Sequence, residues 1–167
     1  MPTRAETDDL LQGFRFKVVE VDREDADGFL TAAAGFNNVT IPEISVEEAT
    51  YREGNRVYTM KFPGIPTVEN STYQRGVART DREFFDWLHA GVLGRGKYRA
   101  DHLIMQFDQT QPGTAEEDEP ARQLKLGNAF PIRVKPMGDF AADSSDVSIA
   151  EVEVSVEELE LKVRDAA

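Results

Sequence analysis

Cysteine is absent from this chain of 167 residues, which excludes disulfides, thiolate nucleophiles and zinc sites built on sulfur and leaves the redox compartment open. Histidine occurs only twice, and no glycine loop of the phosphate-cradling kind and no nucleophile motif accompanies it, so the expectation is a protein without catalytic, cofactor or metal residues. Carboxylates are plentiful, and a two-carboxylate hydrolase is the one enzymatic alternative they leave. No apolar run approaches the ~18 residues of a membrane helix, which speaks against stable membrane insertion. The first residues, Met1 to Asp9, lack the apolar centre of a secretory signal, so assembly in the cytoplasm is expected. An excess of basic charge is also missing: 19 basic residues stand against 31 acidic ones, a net charge of -12. Phosphate gripping needs a basic face, so direct nucleic-acid binding is not expected.

What is present is the balance of a globular domain, with 40% hydrophobic and 30% charged residues in a length that suits one domain. The expected organisation is a single domain over 1–167, with an N-terminal arm at 1–12 and an acidic loop at 109–120. The acidity has two readings: a surface solvated in salt, or a wall that keeps an anionic passenger from sticking.

Period-two alternation dominates. In Phe14-Arg15-Phe16-Lys17-Val18 the apolar residues share one face, as in a half-buried strand. Asp22 to Gly28 is an acidic turn, and a calcium loop aligned on Asp25 finds Phe36 where a bidentate glutamate is required. Glu43 to Phe62 reads as a hairpin turning at Gly54-Asn55, a pair suited to positive φ angles. Counting outward sets Glu53 opposite Arg56, Tyr51 opposite Tyr58 and Glu48 opposite Lys61. Pro63-Gly64 fits the centre of a type II turn, with Pro66 close behind.

One helix is marked. Thr80 and Glu83 have capping-box spacing, Asp81 suits the positive dipole end and Gly91 is the expected stop. Phe84, Trp87, Leu88 and Gly91 share a face, flanked by Phe85 and Val92, which predicts a helix covering a sheet. His89, near its end, reads as structural or solvated. Gly94 to Arg99 is a short basic cluster around Tyr98, read as a glycine-rich surface connection. Asp101 to Phe107 is extended, as are Leu124 to Phe130 and Ile132 to Val134, while Gln109 to Pro120 is a solvated loop. From Val147 to Val163, Val152, Val154 and Val156 oppose Glu151, Glu153 and Glu157, and the phase slips before Leu159. A bulge or turn between Val156 and Leu159 accounts for the slip.

The order of these features resembles the tail-tube family of contractile phages, extracellular contractile injection systems and phage-derived bacteriocins. Tyr51-Arg52-Glu53-Gly54-Asn55 is similar to the family's hairpin tip, and Phe62-Pro63-Gly64 to the turn that follows it. Tyr73-Gln74-Arg75-Gly76, then a helix with Phe85 and Trp87, resembles its arginine-glycine strand end and tryptophan-bearing helix. Asn128-Ala129-Phe130-Pro131 and Ser148 to Val154 are similar to its last strands.

The resemblance implies a mainly β protein, an antiparallel β sandwich or partial barrel with one flanking helix. Six copies would close into a ring and rings would stack into a tube, with sheath and baseplate or hub proteins as partners. DNA or protein cargo would pass without specific binding, and the particle would be a virion tail or a released injection device. Tyr51, Arg52, Glu53, Gly54, Asn55, Pro63 and Gly64 would then make contacts between subunits, and Glu151 and Glu153 would face the lumen. A monomeric β-sandwich binding module is the alternative that the strand pattern also allows.

Overall fold

The computed structural model describes residues 11, 13–21, 35–80, 82–94, 98–109, 111–114 and 117–164. The acidic turn at 22–28, residues 32–34, nearly all of the expected arm at 1–12, and residues 95–97 of the basic cluster lie outside them.

Strands β1 (Phe16–Val21), β2 (Asn38–Thr40), β3 (Ile44–Tyr51), β4 (Met60–Val68) and β5 (Ser71–Gly76) precede helix α1 (Glu83–Leu93). After it come β6 (Ala100–Gln106), β7 (Arg122–Lys135), β8 (Ile149–Ser155) and β9 (Glu158–Val163). All pairings are antiparallel. Phe14, expected in the first strand, lies outside β1 and is exposed, so that strand's core contact is Val18.

β7 is shared between two layers. Its first half lies between β6 and β9, with β1 beyond β6, and its second half pairs with β8, followed by β5 and β2. The corner falls at Asn128, the one non-glycine residue with positive φ (51°) among the described residues. Asparagine tolerates this left-handed conformation better than most side chains. Here its backbone N–H donates to Asp101 Oδ1 and its amide to Glu157 Oε2, both at 3.0 Å.

β9 and the end of β8 follow β7 round this corner in one register, Gly127 opposite Glu158 and Phe130 opposite Ser155, until a bulge between Pro131 and Arg133 shifts it by one. The break between Val156 and Leu159 is where the alternation placed it. Val152, Val154 and Val156 are buried, while Leu161 and Val163 beyond the break are exposed. Val147, ahead of β8, is exposed and takes no part in that stripe.

The core gathers Val18, Ile104 and Leu126 from one layer and Tyr73, Val152 and Val154 from the other, with Phe84 and Trp87 of α1 joining them. The helix therefore covers the sheets through Phe84 and Trp87 as its spacing predicts, but its ends differ. Arg82 is the N-cap residue and no side chain caps the helix. Glu83 instead receives a hydrogen bond from Arg75 Nη1 at 2.9 Å, so it is held by the sheet and the expected capping box is not formed. Asp81 lies outside the described residues. Replacing Thr80 by alanine should accordingly shift the unfolding free energy by less than the ~1 kcal/mol that loss of a working cap produces, as urea denaturation would read. At the other end Gly94, not Gly91, stops the helix, in a left-handed conformation (φ 62°). Gly91 lies inside, against the Tyr98 ring.

One buried residue escaped the sequence analysis. His102 is fully buried on β6, with Nδ1 3.0 Å from the Tyr73 hydroxyl and its ring 5.2 Å from that of Trp87. Its Nε2 is buried without a hydrogen-bond partner among the described residues. Burial pushes its pKa from the ordinary 6.5 down to about 4, against the opposing pull of Asp101. Burial also raises the Tyr73 hydroxyl, so both groups are neutral at pH 7.

The unfolded chain thus binds a proton near pH 6.5 that the folded one refuses until about pH 4. Stability from this site is complete above pH 6.5 and falls as pH drops through that window, by about 3 kcal/mol in all. Denaturation of wild type and His102→Asn at pH 7.5 and 4.5 isolates the effect from that of the carboxylates. The variant should lose distinctly less stability on acidification, and equal losses would overturn the assignment.

Candidate assembly surfaces

The most unusual surface is the β3–β4 pair. These strands form a separate two-stranded sheet, and among its described residues Val68, at the root, is the one that packs against the core. Every residue of β3 is exposed, and the root is closed by Glu69 N–H donating to the Glu43 carbonyl at 2.8 Å. An isolated two-stranded hairpin is at best marginally stable in water, so such an arm needs something to lie against.

Its register differs from the expected one. The turn at Gly54-Asn55 exists, since Arg56 N–H donates to the Glu53 carbonyl at 3.0 Å. Neither residue has a positive φ, however, and the ladder begins two residues further on, with Tyr51 opposite Met60 rather than Tyr58. A shift of two keeps every side chain on its face, and Glu48 therefore still meets Lys61, diagonally, at 3.3 Å.

Pro63-Gly64 is not a type II turn. Both residues lie inside β4, where a bulge sets the Val46–Glu48 step against Pro63–Pro66. Bulges and one-sided strands are where a sheet tolerates proline. A Cβ on Gly64 would stand 2.7 Å from the Glu47 carbonyl oxygen, so the close approach of the two strands requires glycine there.

The residues expected at subunit contacts thus share one arm. Tyr51, Arg52, Glu53, Gly54 and Asn55 lie at its far end, Pro63 and Gly64 at its middle. Sequence reasoning missed how much apolar surface the arm exposes: Ile44 and Val46 near the root, Phe62 and Ile65 in the middle, Val57 and Tyr58 at the tip. Their side chains fall on both faces of the ribbon, a pattern legible only once the bulge is known.

The outer face of the β7–β8–β5 layer is its chemical opposite. Glu153 lies between Thr72 and Arg133, and Glu151 between Gln74 and Lys135. Arg133 binds both carboxylates, Glu151 through Nη2 and Glu153 through Nε at 3.0 Å. Gln74 and Asn70 donate to Glu151 and Glu153 at 2.6 and 3.0 Å. Arg133 first, and those amides second, hold the two carboxyls below the usual carboxylate range. The glutamates do oppose the valines, as expected, and Arg133 pairs with both of them, while Lys135 beside them pairs with Asp139. Glu157 lies apart, bound by Asn128 and Arg99.

The other candidate sites disperse. His89 is exposed and stacks on Phe85. In the basic cluster, Tyr98 spends its carbonyl on Trp87 Nε1 at 2.6 Å, and Arg99 covers the Tyr98 and Phe130 rings while pairing with Glu157 of the same chain. In the loop at 109–120 the described residues are held by hydrogen bonds. Gln111, Gly113 and Glu119 donate backbone N–H groups to Asp108, Asp118 and Gln111 side chains, and Gly113 sits against the Phe107 ring. Among the described residues no three His, Asp or Glu side chains gather as a metal site.

The fold is a sandwich with a flanking helix and an arm exposed along its length. It is shared with a chain of the PVC sheath–tube complex of an extracellular contractile injection system in the extended state, at 24% identity, TM-score 0.75 and 93% coverage of each chain. A chain of the anti-feeding prophage tube-terminating cap matches at 20% identity and TM-score 0.74, over 98% of this chain and 100% of that one. Hcp1 from Flavobacterium johnsoniae matches at 11% identity and TM-score 0.51, over 89% and 95%. No curated protein matches in sequence. The family described as T4-like virus tail tube protein gp19 matches residues 12–160. The chain belongs to this family, and its role is that of a structural tube subunit.

Proposed function

We propose that six copies close into a ring and that rings stack into the inner tube of a contractile tail or injection particle, assembled in the cytoplasm and enclosed by a sheath on a baseplate. The observation that carries this is the β3–β4 arm, exposed along its length with apolar side chains on both faces. Such a surface is stable in water only when covered, and copies of the same chain can cover it in a repeating assembly. Tyr51 to Asn55, Pro63 and Gly64 lie in that contact.

The lumen wall is the polar face of the β7–β8–β5 layer. Glu151 and Glu153 face the channel with Arg133 and Lys135, so DNA or protein cargo meets charges already engaged with one another. The chain's net charge of -12 then resides mainly elsewhere and serves solubility. Chains of similar fold occur in a sheath–tube complex, a tube cap and a baseplate, which are contexts for such a subunit.

Light scattering and negative-stain microscopy of purified protein test the assembly. Rings of six times 18.7 kDa, about 112 kDa, or longer tubes are expected. A monomer at all concentrations and salts, without tubes in the presence of baseplate proteins, would leave the monomeric binding module as the better reading. In a tube reconstruction the Arg133–Glu151–Glu153 cluster should lie at the channel surface; found on the outside, it would refute the wall assignment.

A further inference from the structure

The fold buries an imidazole that tube assembly does not use. His102 stands where three elements meet: on β6, 3.0 Å from the Tyr73 hydroxyl of β5, and with its ring 5.2 Å from that of Trp87 on α1. Its hydrogen bonds run one way. The Ser71 hydroxyl donates to the Thr40 carbonyl at 2.7 Å and also bonds Tyr73. With its proton spent, Ser71 accepts from Tyr73, and Tyr73 accepts from Nδ1–H. Nε2 is left as a bare acceptor, buried and without a hydrogen-bond partner among the described residues.

A proton arriving at Nε2 therefore finds no acceptor, and a buried donor or charge without one is costly. The charged groups around the ring do not supply it. Glu20 lies opposite His102 in the β1–β6 ladder, on the same side, and makes no hydrogen bond to Nε2. Asp101 lies on the other face, engaged with Lys125 and the Asn128 N–H. Arg75, two residues beyond Tyr73, carries a like charge and is paired with Glu83 of α1. β7 presents Leu126, and β8 presents Val152 and Val154.

An imidazolium here thus requires that one wall move and water enter. The walls differ in how they are fixed. β1, β5 and β7 are held in hydrogen-bonded ladders. α1 has no side-chain cap and meets the sheets through Phe84, Trp87 and the bond from Arg75 to Glu83. Local opening takes the least-fixed element first.

We propose that His102 is an acid trigger for α1: a proton on Nε2 lifts the helix off the sheets, which stay folded. The trigger belongs to the single subunit, assembled or not. The closed form resists protonation until about pH 4, whereas a freed imidazole takes its proton near 6.5. Acid therefore favours the opened form progressively below pH 6.5 and fully below about 4.

Trp87 is the chain's single tryptophan, so its fluorescence reports the seam directly. In dilute full-length protein taken from pH 7.5 to 4, its emission should move to longer wavelength and open to acrylamide quenching, while the circular dichroism of the strands stays unchanged. His102→Asn keeps a group that can bond Tyr73 but takes up no proton, and should lower the midpoint of that change by about one pH unit or more. Carboxylates, Glu83 among them, titrate in both proteins and drop out of the comparison. A variant that titrates like wild type, or fluorescence and circular dichroism changing together, would overturn the trigger. So would dimming of Trp87 without a shift or acrylamide access, which marks a proton taken up under a closed helix.

Should the variant fail to fold, hydrogen exchange of the wild type decides. Between pH 7.5 and 5, corrected for intrinsic rates, protection of residues 83–93 should fall about tenfold more than that of residues 149–155. Equal losses would mean that the domain opens as a whole, without a trigger at the helix.

Discussion

Replacing Trp87 by alanine should destabilise the subunit by at least ~3 to 5 kcal/mol, the usual range for a buried aromatic cut back to a methyl group. Trp87 is fully buried, and its ring lies 5.2 Å from that of His102. Its Nε1–H donates to the Tyr98 carbonyl at 2.6 Å, which fixes the chain leaving the helix. Alanine would open a cavity beneath α1 and remove the donor from that carbonyl, adding about 1 to 3 kcal/mol if no water replaces it. Trp87→Phe separates the two contributions, because it keeps most of the ring and loses only the N–H. It should cost clearly less than alanine. Urea denaturation followed by circular dichroism measures both variants, since the chain's single tryptophan is the residue removed. An unchanged midpoint for Trp87→Ala would mean that the apolar stripe of α1 is not part of the core.

That stripe shows which parts of the fold were legible in the sequence. Phe84 and Trp87 are three apart, so a helix must set them on one face whatever lies beneath. Val152, Val154 and Val156 are equally bound to one side of a strand. Such local periodicities survive any tertiary arrangement, and both stripes are buried.

Features that depend on pairing were less legible. The arm's register depends on where its ladder starts, and residues 52–59 leave the ladder before the tip. Pro63-Gly64 has turn composition, but a bulge in a strand paired on one side accepts the same residues. The helix cap was misplaced because the Glu83 carboxylate has a stronger partner, a buried guanidinium from β5, than the backbone N–H three residues before it.

His102 could have been found. Ala100, His102 and Ile104 alternate in step and all three are buried. The signal was masked because Leu103 and Met105 give the opposite face an apolar alternation of its own.

The residues proposed for subunit contacts were legible as one hairpin. The residues proposed to face the lumen were legible only as a face, since Arg133, the cation that pairs with Glu151 and Glu153, comes from β7, some twenty residues away in sequence.

The guanidinium beside Glu83 leads to the other large effect. Arg75 is only 5% exposed, yet it carries a charge. Its Nη1 lies 2.9 Å from Glu83 Oε2, and its guanidinium sits over the Phe84 ring at 4.3 Å and near Phe36 at 5.9 Å. It thereby fastens β5 to the first turn of α1, where no side-chain cap is present. Burying such a charge is tolerable only with its partners in place. Removing one member of a buried pair typically costs ~3 to 5 kcal/mol, because the other is left uncompensated. Arg75→Ala should fall in that range, towards its lower end because Glu83 keeps 25% of its side chain in solvent. Glu83→Gln alone should also destabilise, by taking the Glu83 carboxylate away from the more deeply buried cation. Arg75→Met with Glu83→Gln removes both charges while keeping an apolar chain over Phe84, and should recover much of the loss. A non-additive cycle of this kind identifies a coupled buried pair. Additive losses, or an Arg75→Ala variant within about 1 kcal/mol of wild type, would show that the helix is held by Phe84 and Trp87 alone.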